Sequence, residues 1–253
     1  MLRSALHQGH DEVDSDGFRL RGLGFSRLDG FSDVVFGFAL TLIVVSLEVP
    51  KSFEELHHLW TAFIPFGITF LLLMLIWYEH FVFFRRFGTH DAGTVWLNGL
   101  LLFVVLFYVY PLKFLFLNAF RSAAAQSADL NWAELVVLFA GGQSAIYLLF
   151  AALYANGYRQ REKLLLTPTE TFLTRTFILE EAGTGCIGLL VCALALVLPR
   201  GYESMACFAF VLIGLLRTMT GRFARRKSVQ MQVPQHETVP DGLSGSETNT
   251  ASM

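Results

Sequence analysis

The chain has 253 residues, of which 54% are hydrophobic and only 16% are Asp, Glu, Lys or Arg; 25 are Phe, and the mean hydropathy is +0.51. That composition excludes an ordinary soluble domain and points to a membrane protein. A formal net charge of −2 offers no basic patch for nucleic acid, and Cys186, Cys192 and Cys207 lie scattered in apolar runs without the spacing of a zinc site.

In chain order, residues 1–26 come first. They are polar, contain "DEVDSDG" and lack the continuous apolar core of a secretory signal, so they read as a mobile cytoplasmic segment. Six apolar stretches follow, each judged against the ~20 residues that cross the hydrocarbon core. They fall at roughly 29–49, 59–83, 94–117, 133–155, 172–198 and 203–220. The last is the weakest, because its apolar part, "MACFAFVLIGLL", is short enough for a buried or interfacial helix. Between the fourth and fifth, "TPTE" predicts a helix start with Thr167 as N-cap, Pro168 at the first helical position and Glu170 as capping-box partner. Such a start keeps Glu180 and Glu181 shallow, ahead of the uncharged run "AGTGCIGLLVCALALVL". From about Ser228 the chain is rich in Ser, Thr, Gln, Pro and Gly and is expected to form a disordered tail.

Charge sets the orientation. With six spans and the N-terminus inside, fifteen of the nineteen Lys and Arg residues fall on the inner side, against Lys51, Lys113, Arg121 and Arg200 outside. The expected fold is all-α and polytopic, with both termini cytoplasmic. It divides into a polar segment 1–26, a six-helix domain 27–222, and a basic juxtamembrane stretch with its tail, 223–253.

The mouth of the first span, "RLDGFSD", carries Arg27, Asp29, Ser32 and Asp33. Ser26 suits an N-cap, and Asp29 suits the positive end of the helix dipole. Asp33 lies a turn deeper and on a different face from Arg27, so it needs a partner from another helix, because an unpaired carboxylate in a bilayer costs a few kcal/mol. The second span ends in "WYEHFVFFRR" and the third begins with "WLNGL", which brings Trp77, His80 and Asn98 to a similar depth. Two readings stand: a polar knot joining three helices, or aromatic-belt and snorkelling residues at the interface.

The stretch "RLDGFSDVVFGFALTLIVVSLEVP", residues 27–50, resembles the first helix of the transmembrane protein 175 family of potassium channels. The mark of that family is Arg-x-x-x-Phe-Ser-Asp, then an apolar run, Thr-Leu and a terminal Pro, here Arg27, Phe31, Ser32, Asp33, Thr41, Leu42 and Pro50. Trp77 and His80 match a Trp-x-x-His pair that ends the family's second helix, and Asn98 with Pro111 matches its third. The resemblance implies a six-helix subunit that assembles as a homotetramer around a pore lined by the first helices, with K+ as permeant ion and no cofactor. It also implies that Arg27, Phe31, Ser32 and Asp33 tie the first helix to Trp77, His80 and Asn98, while apolar layers beyond them select and close. Those layers fall on Phe38, Thr41 and Val45, with Leu42 as a further candidate. The spacing 38, 41, 45, 49 fits one helix face. The family usually carries a branched aliphatic residue where this chain has Phe38.

No carbonyl filter of the Thr-Val-Gly-Tyr-Gly type is present, so a ring of apolar side chains would gate by dewetting and Thr41 hydroxyls would replace part of an ion's hydration shell. The alternative is a secondary transporter or another membrane protein without channel activity; Pro65 and Gly67 hint at a kinked helix, but no second half answers them. His80, Asp33, Glu180 and Glu181 make too thin a set for a membrane enzyme.

Overall fold

The computed structural model describes residues 13–14, 16–24, 26–45, 52–119, 131–199 and 201–232. Six long α-helices follow one another in these residues: α1 Arg27–Val45, α2 Phe53–Phe87, α3 Ala92–Ala119, α4 Trp132–Arg159, α5 Pro168–Val197 and α6 Val211–Gln232. A 3₁₀ segment, Glu203–Phe210, leads into α6. Among the described residues there are six stretches long and apolar enough to cross a membrane, so the all-α, six-span class read from hydropathy holds. The sixth, Glu203–Ala224, is assembled from the 3₁₀ segment and the start of α6. This split explains its weak signal: neither piece alone supplies ~20 apolar residues. At 35 residues, α2 is about 52 Å long, well beyond the ~30 Å hydrocarbon core.

Both caps anticipated from local spacing form. Asp29 donates its N–H to Ser26 Oγ (3.1 Å) while its carboxylate accepts the Ser26 N–H (3.3 Å), opening α1 with a reciprocal pair. Thr167 and Glu170 make the capping box of α5, with Pro168 at its first position.

The most intimate packing joins α4 to α5. Ser144 Oγ donates to the Gly185 carbonyl at 2.7 Å, and a Cβ placed on Gly188 would meet Gln143 Oε1 at 2.2 Å, Ser144 Oγ at 2.3 Å and the Ala140 carbonyl oxygen at 2.9 Å. Small residues are what let two helices approach so closely in a bilayer.

Two expectations need correction. The segment before α1 is packed where it is described, rather than mobile. Phe18 is fully buried against Phe87 (ring centroids 5.3 Å apart), which itself stacks on Phe83 and meets Tyr154 edge-on. Arg86 holds Asp14 at 2.6 Å and Asp16 at 2.8 Å, while Arg21 binds Glu170 at 2.8 Å and its backbone N–H donates to the Arg85 carbonyl. A polar composition concealed one buried aromatic ring and three carboxylate–guanidinium contacts, which together tie the C-terminal end of α2 to the N-terminal end of α5. The second correction is at the other end: α6 runs to Gln232, past the point where helical structure was expected to stop. Val49, Pro50, Lys51, Arg121 and Arg200 lie outside the described residues, as do residues 233–253 of the tail.

Candidate functional site

The opening of α1 is held by a directed chain of hydrogen bonds. Ser32 Oγ donates to the Leu28 carbonyl at 2.8 Å, and Asn98 Nδ2 from α3 donates to Ser32 Oγ at 2.9 Å. Asn98 Oδ1 lies 2.8 Å from His80 Nε2 on α2. Because the amide nitrogen of Asn98 is committed as donor, its oxygen takes the Nε2–H of His80, which assigns the Nε2–H tautomer within this network. Ser32 and Asn98 are fully buried and His80 nearly so, with Phe36 and Phe84 against its ring (centroids 5.4 and 4.6 Å away). Every link has a partner, as a polar chain in an apolar surround requires.

A second link runs beside it, where Trp77 Nε1 donates to Asp33 Oδ1 at 2.9 Å. Asp33 thereby has its partner from another helix. Arg27 and Phe31 are exposed and stand outside the chain of bonds. A cavity of about 240 Å³ adjoins the anchor, lined by Asp29, Asp33, His80 and Arg85 among others.

Beyond the anchor, α1 has two contrasting faces. Ser32, Phe36, Ala39 and Ile43 are buried against the rest of the chain. Phe31, Val34, Phe38 and Val45 are 60%, 56%, 64% and 77% exposed, and Thr41 shares their side. The spacing 31, 34, 38, 41, 45 is the alternation of three and four that keeps residues on one stripe of a helix. Leu42 separates from this set, since it is half-buried and packs on the core, one step of about 100° around the helix from Thr41. The Thr41 hydroxyl donates to the Phe38 carbonyl at 2.8 Å, so its oxygen lone pairs are left to face outward.

Two polar groupings escaped the sequence reading. Asp91, just before α3, accepts from Thr94 Oγ1 (2.6 Å), Gln160 Nε2 (2.8 Å) and Asn156 Nδ2 (3.2 Å), and from the backbone N–H groups of Gly93 and Thr94. Partial burial opposes its ionisation, but the hydrogen bonds from Thr94, Gln160 and Asn156 outweigh it and hold its carboxyl well below the usual carboxylate range. An Asp three residues before Thr94 was the available sign of this cap. Arg217 on α6 gathers Glu79, Glu180 and Glu181, so the two acids placed near the interface are drawn into an ion cluster. No group of His, Cys, Asp and Glu among the described residues is arranged to hold a metal ion.

The fold and this site define an integral membrane protein of six spans whose first helix is clamped at one end by its neighbours and bare along one stripe. The family described as "Endosomal/lysosomal potassium channel TMEM175" matches residues 27–111, which run from the start of α1 to Pro111 in α3. A potassium channel of Marivirga tractuosa is 34% identical over 227 residues, covering 83% of this chain and 92% of that protein. The chain belongs to the TMEM175 family. A potassium channel of Chamaesiphon minutus is 31% identical over 93 residues, 34% of this chain and 46% of that one. Among solved structures, a variant of the potassium channel MtTMEM175 in complex with a nanobody fusion protein has a TM-score of 0.74 at 31% identity, covering 85% of this chain and all of that one. A lysosomal potassium-selective channel TMEM175 homologue from Chamaesiphon minutus has a TM-score of 0.53 at 22% identity, over 77% of this chain and 96% of that one, which speaks for the fold alone.

Proposed function

We propose that this chain is one subunit of a passive potassium channel in the plasma membrane of a bacterium, with both termini cytoplasmic. Four copies of α1 surround the path, and Phe38, Thr41 and Val45 line it. The relatives named as potassium channels support the ion, and the bare stripe on α1 is the observation that carries the path. In a single subunit Phe31, Val34, Phe38 and Val45 each keep more than half of their surface exposed, and the exposed Thr41 stands among them.

The physical mechanism follows from the residue types. Four phenyl rings at Phe38 form a narrow apolar collar that excludes water unless the helices part, so the closed state needs no charged plug. Thr41, one turn further, offers hydroxyl oxygens where an ion has given up part of its shell. The anchor at Ser32, Asp33, Trp77, His80 and Asn98 fixes the angle at which α1 leaves the bundle, and so fixes where Phe38 meets its symmetry mates. Leu42 has a packing role, holding the other side of α1 to the core.

Flux from liposomes reconstituted with the purified chain under a potassium gradient tests this reading. Uptake that persists without a coupling ion is expected, and Phe38→Ala should raise the flux severalfold or weaken its preference for potassium over sodium. Absence of flux, or flux that needs a second driven ion, would overturn it.

A further inference from the structure

Where α4 turns into α5, a cavity of about 620 Å³ opens between the turn and the first residues of α5. Arg161 and Glu162 line it from the turn, Phe172 and Arg175 from the helix. Tyr158, near the end of α4, orients both guanidiniums. Their central carbons lie 5.0 and 5.1 Å from its ring centroid, and Arg175 donates to the Tyr158 hydroxyl from Nε at 2.9 Å and also from Nη2. That hydroxyl leaves the other N–H groups of Arg175 for a ligand. From α6, Lys227 Nζ stands 4.8 Å from the ring centroid of Phe172, so a third cation borders the same cavity.

Positive charge is in excess here. Glu162 is the one carboxylate in the wall; it is 87% exposed and meets Arg161 only at 3.5 Å, while Arg175 and Lys227 form no ion pair among the described residues. The rim carries an apolar side chain under backbone strain. Leu165 is 81% exposed, and its φ of 50° makes it the one non-glycine residue with positive φ among the described residues. A left-handed backbone is unfavourable for leucine, and packing within the subunit does not account for it at so exposed a position, so it points to an apolar contact outside the chain. Helix length sets the depth. Counted back from Val197, the ~20 residues that cross the hydrocarbon core reach Ile178. Arg175 then stands ~4.5 Å outside the core, and Leu179, one turn deeper on the same stripe and 69% exposed, stands inside it.

We propose that this cavity binds the phosphodiester headgroup of an anionic glycerophospholipid from the surrounding leaflet. Arg161 and Arg175 hold the phosphate, Lys227 stands beside it, and the acyl chains run along Leu165 and Leu179. Guanidinium forks match phosphate oxygens, and basic pockets at a membrane surface attract anionic lipids. A zwitterionic lipid fits less well, because its own ammonium would lie among three cations. A soluble phosphate would satisfy the guanidiniums but leave the strained, exposed Leu165 without a contact.

Native mass spectrometry of the full-length protein in detergent, titrated with dioleoylphosphatidylglycerol, tests this. Dioleoylphosphatidylcholine is the zwitterionic control, and glycerol phosphate is the soluble competitor with the same headgroup chemistry. Saturable retention of the anionic lipid is expected, weakened on the order of fivefold by Arg175→Gln and by Arg161→Gln, with Arg175→Lys between. Leu165→Gly should weaken retention as well, while leaving Tm unchanged or higher, because glycine relaxes the backbone there. Arg159→Gln removes an exposed cation outside the cavity wall and should leave binding unchanged. The proposal falls if phosphatidylcholine is retained equally, if equimolar glycerol phosphate displaces the lipid, or if Arg175→Gln or Leu165→Gly keeps full affinity. It also falls if Arg159→Gln costs as much as Arg175→Gln, since net charge alone would then attract the lipid.

Discussion

Asn98 is the residue on which three helices depend, because its amide serves both Ser32 on α1 and His80 on α2. Truncating it in Asn98→Ala leaves a buried His80 N–H without an acceptor and Ser32 Oγ without its donor. Interhelical hydrogen bonds in bilayers average only ~0.6 kcal/mol, but orphaning a buried polar group costs about 1–3 kcal/mol, and here the second effect governs. Asn98→Ala should therefore destabilise the protein by about 2 kcal/mol or more, read as a lower Tm in detergent, whereas Arg27→Ala, at an exposed position, should change Tm little. Asp91 gives a prediction in pH. Its folded-state carboxyl is held low by hydrogen bonds from Thr94, Gln160 and Asn156, so its stabilisation is complete above the unfolded value of about 3.9 and is lost as pH falls toward the folded one. The Tm of Asp91→Asn should accordingly lie below that of the native chain at pH 7, and the gap should close as pH falls below about 4. A gap that is constant across this range would show that the charge of Asp91 is irrelevant.

At the scale of elements, α4 and α5 pack closely because glycines let their backbones meet. Gly188→Val puts a branched side chain where Gln143 Oε1, Ser144 Oγ and the Ala140 carbonyl already stand, and the carbonyl cannot swing aside. Overpacking of this kind costs about 1–3 kcal/mol. The variant should lose the 2.7 Å bond from Ser144 to Gly185 and show a lower Tm, while Gly214→Val, where the added atoms would meet open space, should not. What the amino-acid order disclosed about these elements follows range. Caps at Ser26 with Asp29 and at Thr167 with Glu170 depend on residues three apart, and hydropathy over ~20 residues located the spans, so both were legible. Convergence of Trp77, His80 and Asn98 was visible as one of two readings because helix ends at the same membrane surface must lie level. The Asp91 cap had a local sign in Thr94 three residues on, but its bonds from Asn156 and Gln160, the buried segment before α1 and the Arg217 cluster were not legible. Their partners are separated by 72 residues for Asp14 and Arg86, 149 for Arg21 and Glu170, and 138 for Glu79 and Arg217, distances over which no local periodicity operates. The extent of α6 was missed for a different reason: its last residues are polar, and composition understates a helix that continues out of an apolar run.

For the whole molecule, the decisive question is what covers the bare stripe of α1, and the two faces of that helix make it answerable by crosslinking. In a homotetramer with α1 at the centre, residue 38 of each copy lies near its counterpart, while Leu42 is turned into its own subunit. A disulfide forms only when the Cβ atoms come within about 4.5 Å, so the reaction reports proximity sharply. Cys186, Cys192 and Cys207 are free thiols and are first replaced by Ser to remove background. Under mild oxidation in membranes, Phe38→Cys should then give a covalent dimer on a denaturing gel, since each thiol pairs with only one neighbour, and Leu42→Cys should stay monomeric. Adding Asn98→Ala should reduce the Phe38→Cys dimer, because α1 freed from its anchor no longer holds one angle to the axis. Equal crosslinking at positions 38 and 42, or none at 38 with intact oligomers, would mean that the stripe faces lipid and that the path runs elsewhere in the subunit.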